Sequence, residues 1–337
     1  MTEAARPSSP ASRRRVLGLV GATTALVVVA ALSLAVGARQ VPLAEVVRAF
    51  TDFVPTSDDH VVVRELRLPR LWLACAVGAA LAVSGALVQT LTRNPLAEPG
   101  ILGVTAGASF AIVVATAAWG VDSQVSQLLA AGIGAVVATV AVYAVGRDNP
   151  LRLLLAGVAL SAVLAGLGLG VRLMMPDVFD NYRFWSVGSL AGREQVALGL
   201  PLSVIVVALV AVVLLVPSLS AMALGEHVAT TLGARVRTTR VLTVVVLTVL
   251  AAAATAVAGP IGFVGLIVPH LVRRLASGSI GWLMVLCVLG GPVLVLTADV
   301  LARVLLPTGE VPVAVVTAFL GGPVLIWVVR RYGTVGL

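Results

Sequence analysis

Long uncharged apolar runs, separated by short polar or Gly/Pro-rich stretches, set the rhythm of this chain. The first, Val16–Ala38, follows the basic triplet Arg13-Arg14-Arg15. It is longer than the apolar core of a secretion signal, and long enough to cross a bilayer. It therefore reads as an uncleaved first span, with residues 1–15 expected to be disordered. Further runs follow at Leu71–Leu91, Ile101–Trp119, Leu128–Val145, Leu153–Met175, Val196–Val216 and Val241–Ala258. A short eighth piece ends at Pro269-His270, where Arg273 and Arg274 are expected to stop it. Trp282–Leu301 and Val313–Val329 complete the set. Leu43–Phe50 reads as a surface helix. Residues 176–195, with Tyr182, Phe184 and Trp185, suit an interfacial one. Nowhere does apolar/polar alternation persist as a strand requires. The expected fold is an all-α polytopic membrane protein of about ten transmembrane helices, with residues 16–337 forming one domain.

Two kinds of interruption stand out. Pro217–Arg240 is polar, yet Ala223, Leu224, Val228 and Leu232 fall on one face of a short helical pattern. Leu224-Gly225-Glu226-His227 opens that pattern, Leu232-Gly233 closes it, and Arg235, Arg237 and Arg240 follow. The pattern fits a docking helix for a soluble partner or a solvated loop. The other interruptions, Pro95–Gly103 and Gly259–Gly265, are Gly/Pro-broken and five spans apart. An odd offset makes them run in opposite directions, as in an inverted repeat built around a translocation path.

Composition agrees with lipid as solvent. Hydrophobic residues make up 59% and charged residues 11% of the 337, against roughly 45–50% and 25% in soluble domains. The net charge of +8 comes from arginines at the ends of apolar runs, which is a topology signal rather than a nucleic-acid surface. With ten spans, the N-terminal side carries 14 of the 23 basic residues and only 4 of the 15 acidic ones. Both termini and the Pro217–Arg240 loop are therefore expected in the cytoplasm. All 23 basic residues are arginine. A P-loop needs its lysine on the nucleotide phosphates, so ATP-driven work would need a second polypeptide. Cys75 and Cys287 sit inside apolar runs and read as small packing residues. His60 is expected in an exposed loop, His227 on the short helix and His270 in a turn, with no metal set among them. A transporter driven by an ion gradient would carry ionisable groups deep in its spans, whereas Glu98, Arg172 and Asp299 lie near span ends or in loops. A membrane protease is disfavoured because His-Glu-x-x-His and Gly-x-Ser-x-Gly are both missing.

Several strings together carry a family resemblance. They are Arg67-Leu68-Pro69-Arg70, Gly85, Gln89, the run Arg93 to Gly103 (RNPLAEPGILG), Leu154 to Leu160, Ala223 to Glu226, the run Ala258 to His270 (AGPIGFVGLIVPH), Ala298-Asp299, Ala302-Arg303, Glu310 to Pro312 and Thr317. From about residue 64 to its end the chain resembles the FecCD-type permeases of ABC importers for iron–siderophores, haem and cobalamin. The resemblance implies a type II ABC importer permease in the cell membrane. It also implies a second permease subunit (identical or sister), two ATPase subunits that use ATP and Mg, and a substrate-binding protein on the outer face. The permease itself would be non-catalytic and hold no cofactor. Leu224, Gly225, Glu226, His227, Leu232 and Gly233 would form the coupling helix, about 225–233. Asn94, Leu96, Pro150 and Leu151 would form the cytoplasmic gate, the last two departing from the small polar pair usual there. Gly157, Ser161 and Gly166 would line the path. Arg67, Arg70 and Arg303 would meet acidic side chains of the binding protein.

Overall fold

A computed structural model describes residues 10–121, 123–146, 150–192, 198–306 and 309–332, and among these every regular element is helical. The helices are α1 (Pro10–Ala35), α2 (Leu43–Thr51), α3 (Asp58–Val61) and, after a π-helical turn at Val62–Arg67, α4 (Leu68–Thr92). A 3₁₀ turn at Pro99–Leu102 leads into α5 (Val104–Trp119). Next come α6 (Gln124–Gly146), α7 (Pro150–Met174), α8 (Pro176–Ser186), α9 (Gly199–Ala223) and α10 (Glu226–Thr231). The chain ends with α11 (Val236–Ala258), α12 (Val264–Ala276), α13 (Ile280–Val304) and α14 (Val313–Tyr332).

Among the described residues, seven helices are long and apolar enough to cross a bilayer: α1, the rod from α3 through α4, α6, α7, α9, α11 and α13. Two apolar helices are shorter, Val104–Trp119 and Val313–Trp327. With 13 residues, α12 rises only about 20 Å, short of a hydrocarbon core of about 30 Å. Its position follows a chain break rather than a full crossing.

Most of α4 is buried, and a stripe of small residues explains how closely its neighbours approach. Gly78, Ala82, Gly85 and Gln89 recur on one face at helical spacing. A Cβ at Gly78 would stand 2.6 Å from the Gly291 carbonyl of α13, and one at Gly85 only 1.9 Å from the Gly265 carbonyl oxygen of α12. Without a strong hydrophobic drive between helices in lipid, such close contact supplies the packing energy. On another side, Gly107 of α5 and Gly134 of α6 meet in the same way.

Several boundaries differ from the sequence expectation. α1 begins at Pro10, so Arg13 to Arg15 lie in its first turns, and Arg15 donates to the carbonyls of Ala276 and Ser277. The polar stretch from Pro217 is no loop at first, because α9 runs through Pro217 to Ala223. α12 likewise continues past Pro269-His270 and through Arg273-Arg274. Trp185 does not face the surroundings of the chain. It is fully buried in α8, with its indole N–H donating 3.2 Å to the Ala256 carbonyl of α11. His60 is buried on α3 rather than exposed. The backbone N–H of Val54 donates to its Nδ1, which puts the ring proton on Nε2, 3.3 Å from Glu45. Leu43–Phe50 is the helix anticipated, α2.

Candidate functional site

Three places hold the chemistry the sequence singles out. The first is the short helix α10, at the end of the molecule where Arg93, Arg240, Arg273 and Arg274 also lie. Gly225 (φ +113°) precedes it and Gly233 (φ +81°) follows, conformations that cost little only without a Cβ. Ala229 is fully buried and anchors the helix, while Leu224, Val228 and Leu232 are exposed at four-residue intervals. His227 is exposed as well, and the Glu226 side chain lies outside the described residues. Val228 lies on α10 itself, Leu224 at the end of α9 and Leu232 at the α10 cap, so the short helix and its two turns together display three exposed apolar side chains.

The second place is where the two Gly/Pro-broken stretches meet. Asn94 Oδ1 accepts from the Leu96 N–H at 2.9 Å, a local turn that follows the left-handed Arg93 at the end of α4. Glu98 then reaches across to the other break and accepts the Phe263 N–H at 2.9 Å. Phe263 is itself left-handed (φ +69°), a strained state for a bulky residue. Its ring packs so closely on α14 that a Cβ at Gly321 would stand 2.6 Å away. One turn into α12, Pro269 lacks the N–H that would have bonded the Gly265 carbonyl. Gln89 of α4 supplies the missing donor, its Nε2 lying 3.1 Å from that oxygen, and its Oε1 accepts from Arg273 at 2.8 Å. α12 is thus held at both ends by side chains from the other break.

Burial pushes the Glu98 carboxyl above the ordinary carboxylate range, and the Phe263 N–H partly opposes this. A carboxyl raised in the folded state contributes stability below its unfolded pKa and loses it as pH rises through the folded value. Glu98→Gln keeps an acceptor but cannot titrate, so it should flatten the fall in thermal stability as pH rises above the ordinary carboxylate range. Glu98→Ala should cost about 1–3 kcal/mol at any pH by leaving the Phe263 N–H unsatisfied. Unfolding curves in detergent over that rise in pH decide it. Parallel pH profiles for wild type and Glu98→Gln would show that Glu98 does not titrate in the fold.

Of the remaining gate candidates, Leu96 belongs to this junction and Pro150 and Leu151 lie at the start of α7. Leu96 is half-buried in a crevice against Leu266 and Val324. Pro150 opens α7 at a position that tolerates proline, its side chain lying outside the described residues, and Leu151 is exposed beside it. On the same helix Gly166 is exposed with open space around it and Ser161 is half-buried. Gly157 is different. A Cβ there would stand 1.7 Å from the Ile101 carbonyl oxygen, so it is a packing contact on the 3₁₀ turn and not a wall of an open path.

The third place, at the opposite end, corrects the expectation for the three arginines. Arg67, Arg70 and Arg303 are only 6%, 8% and 5% exposed. Arg70 donates from Nε and Nη2 to Asp299 (3.0 and 2.8 Å) and from Nη1 and Nη2 to Glu310 (3.2 and 2.7 Å). Arg303 lies 3.0 Å from the other Asp299 oxygen, close enough for an ion pair but not aligned as a hydrogen bond. It also donates to the Ser33 and Val36 carbonyls and to the Ser33 hydroxyl. Arg67 donates to the Leu34 and Arg39 carbonyls. Two of the three therefore cap the carboxyl end of α1, where carbonyls lack helical partners and the helix dipole favours cations. These guanidiniums are engaged inside the chain and are not offered to a partner. No local pattern announces it, because Arg70 and Asp299 are 229 residues apart.

Comparison with known proteins fits this geometry. The model of the FecCD transport family matches residues 25–331. The chain belongs to the FecCD transport family. Among FecCD relatives, the ferric enterobactin transport system permease protein FepD of Escherichia coli (strain K12) is 44% identical over 322 residues, spanning 94% of this chain and 96% of that protein. The hemin transport system permease protein HmuU of Yersinia pestis is 38% identical, over 79% of this chain and 82% of its own. A solved metal-chelate type ABC transporter in an inward-facing conformation superposes with a TM-score of 0.81 at 29% identity, covering 93% of this chain and 98% of that one. The likeness to FepD and to the solved transporter extends over nearly the full length of each.

Proposed function

We propose that this chain is the membrane subunit of an ATP-driven importer and moves a metal chelate, a ferric siderophore ahead of haem or cobalamin, received from a separate binding protein. The observation that carries the reading is α10: an apolar stripe displayed between two spanning helices, α9 and α11, on a chain with no P-loop lysine of its own. A helix so placed can pass a push from a soluble ATPase to both spans at once. The FecCD membership and the relatives named for enterobactin and hemin support the class of cargo. In this reading the α10 end faces the cytoplasm, in agreement with the excess of arginine there. A second permease subunit completes the path, and ATP and Mg act only in the partner.

Leu224→Ser with Leu232→Ser should test it in proteoliposomes holding the permease, its ATPase and its binding protein. Each leucine is two-thirds exposed, so the fold should persist. Uptake should fall at least about tenfold, the effect expected from removing two buried apolar anchors at an interface. Residual ATP hydrolysis should become insensitive to the binding protein. Unchanged uptake, or uptake without any ATPase present, would overturn the proposal.

A further inference from the structure

Positive-inside topology explains why arginines collect at one end of the bundle, but not why four of them open into one cavity. Arg93 at the end of α4, Arg240 on α11, and Arg273 and Arg274 on α12 all line a space of about 510 Å³. No Asp or Glu is among its described lining residues. Its walls are otherwise mostly apolar, with Leu219 of α9 and Leu283 of α13 among them. The cavity is therefore amphiphilic, with guanidiniums and hydrocarbon side chains in one lining. Arg15 extends the positive rim, since its guanidinium bonds the carbonyl of Ala276, another lining residue.

Two apolar helices meet next to the cavity. α9 and α13 touch beside it, where a Cβ on Gly281 would stand 3.3 Å from Val216. One turn farther from the basic end, Val213 on α9 and Val285 on α13 are both exposed. An acyl chain entering at Gly281 would lie along that pair.

We propose that this cavity is a binding site for an anionic phospholipid, the phosphate held among Arg93, Arg240, Arg273 and Arg274 and one acyl chain following the α9–α13 groove. Arginine suits the phosphate group because its planar fork donates two parallel hydrogen bonds. Basic pockets between membrane helices are a recurrent place for such headgroups. A bound lipid would link α4 and α12, which carry the Gln89 junction, to α11, which follows the coupling helix. The inference needs the membrane placement of the chain but not its transport function.

Native mass spectrometry of the full-length chain, released from detergent with dioleoyl phosphatidylglycerol or dioleoyl phosphatidylcholine, tests this directly. The expected result is saturable retention of one phosphatidylglycerol per chain, with phosphatidylcholine at least tenfold weaker. Combining Arg93→Gln, Arg240→Gln and Arg274→Gln should weaken phosphatidylglycerol retention about tenfold or more. Arg48→Gln, at the opposite end, should leave it unchanged. Thermal unfolding in phosphatidylcholine confirms that each variant is folded. Equal retention of both lipids, or a triple variant that binds like wild type, overturns the proposal. Displacement by millimolar inorganic phosphate or glycerol phosphate would make this a free-anion site and also overturn it. So would a triple variant that keeps its lipid but no longer co-purifies with an ATPase subunit, since the cavity would then be a protein contact.

Discussion

Replacing Asp299 with alanine should destabilise the protein by about 3–5 kcal/mol, the range found when one partner of a buried ion pair is removed. The loss exceeds that of an ordinary hydrogen bond because two guanidiniums depend on this carboxylate. Arg70 would keep Glu310, which is partly exposed, but would lose both bonds to Asp299. Arg303 would keep the carbonyls at the end of α1 and lose the carboxylate it pairs with at 3.0 Å. Asp299→Asn should cost less, since an amide oxygen still accepts from Arg70. Unfolding in a mild detergent titrated with dodecyl sulfate gives the comparison. Glu310→Gln should lie well below either, as its carboxylate reaches solvent and is screened. An Asp299→Ala protein as stable as wild type would show that the network is held by packing alone.

The same network shows where sequence reading stops. Arg67, Arg70 and Arg303 were placed correctly at one end of the bundle, because the ends of apolar runs fix their depth. Their burial could not be inferred. It depends on α1, α4 and α13 converging at that end, and each arginine's partners lie on other helices. His60 and Trp185 were misplaced for the same reason: a polar or amphipathic side chain in a mixed segment reads as exposed until a neighbour such as Glu45 or the Ala256 carbonyl claims it. Proline misled in a different way. Pro217 and Pro269 signal breaks in isolation, yet membrane helices tolerate proline where the freed carbonyl finds another donor. At Pro269 that donor is Gln89, on a different helix. What was legible were features set by local spacing. α10 between its two glycines and α2 as a surface helix each depend on a few neighbouring residues.

The meeting of the two broken stretches joins these levels. Gly/Pro content and an offset of five spans pair Pro95–Gly103 with Gly259–Gly265 in the sequence. In the fold they are in contact through Glu98 and Phe263, and through Gln89 and Gly265. Ordinary helical bonding cannot satisfy a buried chain break, so each break uses polar groups supplied by or near the other. In the transport reading this junction has a functional consequence. A movement of α11, which leads directly into the second break, would be felt at the Asn94–Leu96 turn through Glu98.

The tightest test of that junction is Gly85→Ala, a single methyl with an expected cost above about 3 kcal/mol, at the upper end of overpacking effects. The added Cβ would begin 1.9 Å from the Gly265 carbonyl oxygen and 2.4 Å from its carbonyl carbon. Both obstacles are backbone, so no rotamer change relieves them, and α4 and α12 must separate by more than an ångström. That separation would lengthen the Gln89 bond to Gly265 and expose the carbonyl that Pro269 leaves without a helical donor. Packing loss and an unsatisfied acceptor therefore come together. Gly21→Ala is the matched control. It lies on α1 with nothing within 4 Å of its Cβ position, and alanine there should be neutral or stabilising by about 0.5–1 kcal/mol through helix propensity. Dodecyl sulfate titrations of the two variants should move in opposite directions or differ by several kcal/mol. If Gly85→Ala unfolds with Gly21→Ala and wild type, the α4–α12 crossing is looser than drawn, and the link from Gln89 to the second break no longer holds.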